Sequence, residues 1–393
     1  MGSFVKGKDG PFVQIEPEFS RKIVSAGGDT LYLCFQCGVC TGGCPPARLS
    51  DFRIRKLVRL AQFGLGNRIL PSDSLWMCTA CYKCHVRCPR GVDIPGIVMT
   101  LRNLAVREGL APEAVVLAEK AIDSVKNPFG MDNSMRTEWS LYTGAELKLK
   151  KEADVVYFVG CVTAYSGRLQ GVAHAITSIL NHVGENWTLL EGEHCCGHVL
   201  MLSGAKNKFK EIAEQNLRAV EATGAKRLVT GCPSCFWAFK TEYAEALGRN
   251  PRFEVVHFTQ LLDEYLREDK LSGTRFEGRV TYHDPCELGR LAGIYHAPRN
   301  LLHAFATEFV EARENLRDGR CCGAGGFVKG TNLSLASDLA DVRLKILAET
   351  GAEVCISACP SCDLMLGEAV LREEGSPRVL DLAEFVAQQV GLL

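Results

Sequence analysis

The sequence predicts a multi-domain α+β chain: a helix-rich, cysteine-rich unit in front, then two repeated α/β lobes with parallel sheets. Three observations predict it. Nineteen cysteines in 393 residues fall into regular groups. A lone cysteine, an adjacent pair followed by glycine, and a Cys-Pro-Ser-Cys occur once from Val155 and again from Val280. Short β-rich runs (VVYFV, RLVTG, RVTYH, EVCIS) each deliver a cysteine at or just past their C-terminal end. Helical stretches such as KNKFKEIAEQNLRAVEATG alternate with them, the pattern of parallel sheets.

Composition sets the limits. Hydrophobic residues make up 47% and charged residues 23%, as in ordinary globular proteins, and the length suits two or three domains. A net charge of −1 gives no general reason to expect nucleic acid or an anionic membrane as partner. Disulfide-dense proteins are short and secreted. This chain is long, has an odd cysteine count and opens MGSFVKGKDGPF without an apolar signal segment. Metal ligation in the cytoplasm is the expectation. No apolar run approaches the length that spans a bilayer, so membrane attachment would need a partner.

Taken in order, residues 1–30 read as a polar lead-in with one helical patch around Phe19–Val24. Cys34, Cys37, Cys40 and Cys44, closed by Pro45, then have CxxCxxCxxxCP spacing, and Cys78, Cys81, Cys84 and Cys88 with Pro89 repeat it. This is the bacterial ferredoxin spacing for two cubane [4Fe–4S] clusters: three cysteines wrap one cube, and the fourth, carried away by the proline, ligates the other. Cluster one is therefore assigned Cys34, Cys37, Cys40 and Cys88. Cluster two takes Cys78, Cys81, Cys84 and Cys44. Zinc, which four cysteines also suit, is the alternative.

Between the motifs Ile54, Leu57, Val58 and Ala61 fall on one helical face, with Arg53, Lys56 and Arg59 on or near the other. A solvated face is the simpler reading of those cations; docking of an acidic partner, or offsetting of cluster charge, is the functional one. A second helix is expected after Pro95. The connector holds a helix from Pro112 to Val125, with proline suited to the first turn, then the breaker NPFGMDNSMRTEWS. Packing is the default for Arg136 and Trp139.

The repeats follow. The first set is Cys161, Cys195, Cys196, Cys232 and Cys235; the second, at offsets of 125, 126 and 127 residues, is Cys286, Cys321, Cys322, Cys359 and Cys362. Ligands at the carboxyl ends of parallel strands are where open α/β sheets place their sites. Pro233 and Pro360 suit a helix start, which would point the helix N-terminus at a negatively charged group. Gly197, Gly323, Gly325 and Gly326 allow close backbone approach. GAGG lacks the GxGxxG spacing of a dinucleotide loop. Cys355 stands opposite Leu228 inside a strand and reads as a buried small hydrophobe. His194, His198 and His283 are candidate proton donors, although each could simply satisfy a hydrogen bond near a charged site.

CFQCGVCTGGCP, a helix ending in AQFGLG, LWMCTACYKCHVRCPRGVDIP and LRNLAVREG resemble the small ferredoxin-type subunit of heterodisulfide reductase. NPFG, YHDPC, CCGAGGFVKG and CPSC resemble its catalytic subunit. The resemblance implies a fusion of the two, with domains at residues 1–110 (ferredoxin type), 111–152 (connector), 153–273 and 274–393 (Cys-Cys-Gly lobes). It implies a noncubane [4Fe–4S] cluster in each five-cysteine set, zinc being the alternative in the first. The paired clusters would cleave a disulfide, which makes those ten cysteines catalytic. It further implies a flavin- and iron–sulfur-bearing partner subunit within a larger redox complex. The alternative is an electron-transfer subunit without chemistry of its own. Such relatives serve aromatic acyl-CoA reduction or the oxidation of glycolate, lactate or glycerol 3-phosphate.

Overall fold

A computed structural model describes the backbone of residues 3–7 and 10–393 and the side chains from Ile15 onward. Residues 1, 2, 8 and 9 of the expected lead-in lie outside the described residues. The rest of it is not featureless. β1 (Ser3–Gly7) pairs antiparallel with β2 (Gly10–Ile15), and α1 (Pro17–Ser25) covers the expected helical patch.

The front unit is helical because its apolar residues recur with helical period. α2 (Ile54–Gln62) buries Ile54, Leu57, Val58 and Ala61, the face its sequence spacing predicts. α3 (Ile94–Arg107) starts where the Asp93 side chain accepts from the Gly96 amide and Pro95 occupies the first turn. Ile23, Leu57, Leu75, Ile97 and Leu101 join these helices in one core. α4 (Glu113–Val125) follows, with Pro112 one position earlier than expected, at its N-cap.

Each lobe is a parallel sheet of four strands. In lobe one these are β3 (Val155–Tyr157), β4 (Trp187–Thr188), β5 (Arg227–Thr230) and β6 (Glu254–His257), in the order β4-β3-β5-β6. Helices α5 (Gln170–His182), α6 (Lys206–Glu221) and α7 (Phe258–Arg267) complete it. In lobe two β7 (Phe276–Tyr282), β8 (Ala306–Val310), β9 (Val354–Ser357) and β10 (Arg378–Asp381) repeat that order as β8-β7-β9-β10. Its helices are α8 (His296–Phe305), α9 (Leu333–Ala348), α10 (Pro360–Val370) and α11 (Leu382–Gln389). In both sheets the chain reverses direction between the first and third strands, the switch point where α/β sheets open a crevice.

The lobes share one interior. The first long helix of each packs on the last helix of the other, α5 on α11 and α8 on α7. Trp139, Ile176, Leu262, Leu302 and Phe385 therefore belong to a single core. Each fully buried large side chain contributes roughly 1.5–3 kcal/mol, so the pairing is a permanent one. This pseudo-two-fold exchange turns the carboxyl ends of the two sheets toward a common space. Among the described residues no helix is long and apolar enough to cross a membrane.

Candidate functional site

The two front motifs adopt the same loop. Gln36 and Gly38 have φ of 67° and 87°, and the matching Ala80 and Tyr82 have 51° and 59°. Left-handed backbone at a non-glycine residue costs on the order of 1 kcal/mol or more, and here it curls three thiols toward one point. Cys34, Cys37, Cys40 and Cys88 line one small pocket, so the crossover cysteine has joined the first loop. Cys44 has left it: burial raises its thiol, and the neighbouring Cys81 and Cys78 raise it further. Cys84 is raised in the same way by burial and then by Cys78, Cys81 and Cys44. The two predicted sets of four are thus gathered, and Cys37 is their exposed member.

All ten repeat cysteines line a single cavity of about 500 Å³ between the lobes. Cys161 opens the helix Cys161–Tyr165 just after β3. Cys232 and Cys359 are N-caps of the helices that Pro233 and Pro360 begin, as their sequence predicts. The thiols are close: Cys322 Sγ lies 3.2 Å from Cys362 Sγ, and hydrogen bonds from Cys195 and then Cys235 pull Cys196 down to about 7. Cys355 is wholly buried in β9 and lies off the cavity.

Five thiols converging in each lobe are soft donors, more than one tetrahedral ion needs, and fit a multi-iron group. His283 supports that fit. Its Nδ1 accepts from Arg343 Nε at 2.9 Å, which leaves the proton on Nε2. Nε2 is buried without a partner, and the imidazole, Cys322 and Cys362 place ligand atoms within 4.8 Å of one another. A protonated Nε2 is a donor awaiting an acceptor such as sulfur, and not itself a metal ligand.

Arg136, which the sequence left as packing, turns out to face the thiols, together with residues the sequence did not single out. Arg136 donates to Cys161 Sγ at 3.4 Å and to Glu193 Oε1 at 2.7 Å, all three being buried. Glu193 also accepts from the amides of Val159 and Gly160. His198 bridges the lobes: Nδ1 lies 2.9 Å from Glu242 and Nε2 3.2 Å from Glu287, which also accepts from Ser234 Oγ at 2.5 Å. Burial works against its charge, but the two carboxylates outweigh burial and hold it well above the usual histidine range. His194 is half-buried and pushed down to about 4 by burial, then Lys126 and Arg136. The sequence signal for Glu287 and Ser234 was their place beside or between the cysteines. For Arg136 and Glu193 there was none.

The front unit meets lobe two at its cysteines. A Cβ on Gly326, where φ is +62°, would lie 2.0 Å from Cys78 O, and one on Gly325 2.5 Å from Thr79 O. Only glycine fits there. Arg290 donates to Cys81 O at 2.6 Å, and the neighbouring Cys321 and burial raise the Cys81 thiol. Against lobe one the contact is helical: Arg102 donates to Leu202 O at 3.2 Å and Asn103 to Gly204 O.

The 4Fe–4S dicluster domain family matches residues 30–92, and the cysteine-rich CCG domain family matches 155–240 and 280–367. A subunit of the dihydromethanophenazine:CoB–CoM heterodisulfide reductase from Methanosarcina barkeri is 32% identical over 388 residues, covering 91% of this chain and 94% of that one. Its Methanosarcina acetivorans counterpart is 33% identical over 390 residues, with the same coverage of both chains. The EtfAB:quinone oxidoreductase of Syntrophomonas wolfei is 30% identical, over 80% of this chain but 46% of that protein. A Helicobacter pylori hypothetical protein of known structure shares the fold, with a TM-score of 0.53 and 10% identity over 95% of this chain and 72% of that one. With the dicluster module and both cysteine-rich repeats in one polypeptide, matched nearly end to end, the chain belongs to the heterodisulfide reductase family of iron–sulfur subunits.

Proposed function

We propose that the protein is the iron–sulfur catalytic subunit of a heterodisulfide reductase-like complex, reducing a disulfide in the cavity between its lobes. The observation that carries this is the single chamber ringed by ten thiols. On this reading residues 1–110 form the electron wire, 111–152 the connector, and 153–273 and 274–393 the two lobes. Cys34, Cys37, Cys40 and Cys88 would hold one cubane cluster, and Cys44, Cys78, Cys81 and Cys84 the other. The five-cysteine sets headed by Cys161 and Cys286 would each hold a noncubane cluster. Clusters so held would supply electrons singly, two for each disulfide cleaved.

The chain's own groups serve that reaction. Cleavage of R–S–S–R′ takes up two electrons and two protons and yields two thiols. Apolar walls such as Phe129, Leu202 and Phe327 line the cavity and exclude water. The Arg136 guanidinium balances negative charge at Cys161 Sγ. His198 and Glu287 line the cavity too and hold a proton between His198 Nε2 and Glu287 Oε1. On this reading the electron source is a flavin- and iron–sulfur-bearing partner in a multi-subunit, cytoplasmic complex. The close seat of Gly325 and Gly326 on the Cys78–Thr79 backbone, with Arg290 bonded to Cys81 O, supports transfer from the second cubane set into lobe two.

Anaerobically purified protein should contain about 16 iron atoms per chain, from four clusters of four, and should reduce a disulfide with a chemical reductant. Failure to reduce any disulfide with all iron present sinks the catalytic reading. Zinc in place of iron ends the redox account. A second reading, an electron relay alone, is favoured by the Syntrophomonas wolfei relative. A quinone or acyl-CoA oxidoreductase that co-purifies, with no disulfide turnover, would establish it.

A further inference from the structure

The surface around Cys37 is built unlike the rest of the molecule. Cys37 is exposed while Cys34 and Cys88 are partly covered and the other five front cysteines are buried, so this loop is where an outside group comes nearest the first set. Around it Tyr32 and Phe35 are each 60% exposed, with Leu33, Val39 and Phe63 at 43%. A groove of about 810 Å³ runs from Cys34 and Phe35 to Phe63 and is walled by Arg53, Arg55, Lys56 and Arg59.

These cations have no acid to answer. Between residues 30 and 72 six basic residues stand against Asp51 alone, in a chain of net charge −1. Arg53 donates to the carbonyls of Ala47, Ser50 and Phe52. Arg59 reaches Gln62 and lies 4.2 Å over the Phe63 ring, and Arg55 sits beside Gly38. Among the described residues none of the four pairs with a carboxylate. Other surface cations do find carboxylates, as in Lys226–Asp154, Arg227–Glu254 and Arg313–Glu349. An apolar centre with a charged rim is the anatomy of a protein interface, and a single-signed rim selects the opposite sign.

We propose that this face docks an acidic redox protein, which exchanges electrons with the first cysteine set through the Cys34–Cys37 loop. The proposal rests on the iron–sulfur reading above and adds the partner's charge and its seat. Phe35 and Tyr32 bring the two proteins into van der Waals contact beside the exposed thiol, and the four cations steer the encounter.

The test uses the iron-loaded, full-length protein and a purified acidic ferredoxin as probe, with the bimolecular electron-transfer rate followed by stopped-flow absorbance. The triple variant Arg55→Glu/Lys56→Glu/Arg59→Glu should slow that rate at least tenfold at low salt and flatten its salt dependence. Phe35→Ser should slow it several-fold with the salt dependence kept. Iron content, melting temperature and reduction by dithionite should not change in either. A ferredoxin rate indifferent to the charge reversal, with iron intact, overturns this proposal alone. So does charge-dependent binding of phosphatidylglycerol vesicles while the ferredoxin rate stays the same. Absence of iron from the wild-type protein overturns this proposal and the iron–sulfur reading together.

Discussion

The two lobes present the same five thiols on the same strand order, yet they treat the residues next to those thiols in opposite ways. After its cysteine pair lobe one passes from Gly197 into the helix His198–Ser203, with Leu200 fully buried. At the same register lobe two has Ala324, Gly325 and Gly326, two of them lying against the Cys78–Thr79 backbone. Just past the first strand lobe one has Phe158, packed 4.9 Å from Phe239, where lobe two has His283 with its unpartnered nitrogen. Lobe one in turn draws a guanidinium from the connector onto Cys161. The thiols recur with the glycine of Cys-Cys-Gly and the Pro-Ser of Cys-Pro-Ser-Cys, while the positions beyond them follow the local neighbour: the front unit for lobe two, the connector for lobe one.

The comparison breaks first at the ligands. Cys322→Ser and Cys196→Ser should each remove about a quarter of the iron and abolish disulfide cleavage. Turnover surviving in either variant would mean that one lobe suffices. Next comes Arg136→Met, which strands Glu193 in the interior and should cost about 3–5 kcal/mol in denaturant unfolding. Adding Glu193→Gln, which removes the charge but keeps an acceptor for the Val159 and Gly160 amides, should recover most of it; no recovery would mean the arginine acts by packing. Gly326→Ala forces a side chain at positive φ into Cys78 O and should cost about 1–3 kcal/mol. It should also slow transfer from the front clusters into lobe two, seen by rapid-freeze EPR, while lobe one's own signal is unchanged. His283→Phe, which installs lobe one's residue, should lower the lobe-two midpoint potential by about 40 mV, one hydrogen bond of roughly 1 kcal/mol in a one-electron couple. An unmoved potential removes the nitrogen from the account. The smallest effect is Cys355→Ala: about 1 kcal/mol with full iron content.

Much of this was legible because cysteine spacing encodes geometry directly. The two front sets, the four strands that end in cysteines, the helix starts at Pro233 and Pro360 and the exclusion of Cys355 all follow from register and local periodicity. What could not be read involves partners distant in sequence. Arg136 meets Glu193 across 57 residues, and His198 meets Glu287 across 89; the first reads as packing and the second as one of three candidate proton donors until the fold supplies their partners. The solvated face expected for Arg53, Lys56 and Arg59 is indeed exposed, but only the structure shows the aromatic rim beside it. The β1–β2 pair was within reach, since the apolar pairs Phe4–Val5 and Phe12–Val13 flank a short glycine-bounded break; reading residues 1–30 as a polar lead-in misses it.

The exchange of helices between lobes also orders events in time. α5 of lobe one is covered by α11, which ends at Gln389. A ribosome that has finished lobe one has therefore not finished its interior, and Leu180 and Ile176 wait for Phe385 and Val386, made roughly two hundred residues later. Until those arrive, that apolar face of lobe one is bare, and anything that delays synthesis of the second lobe prolongs its exposure.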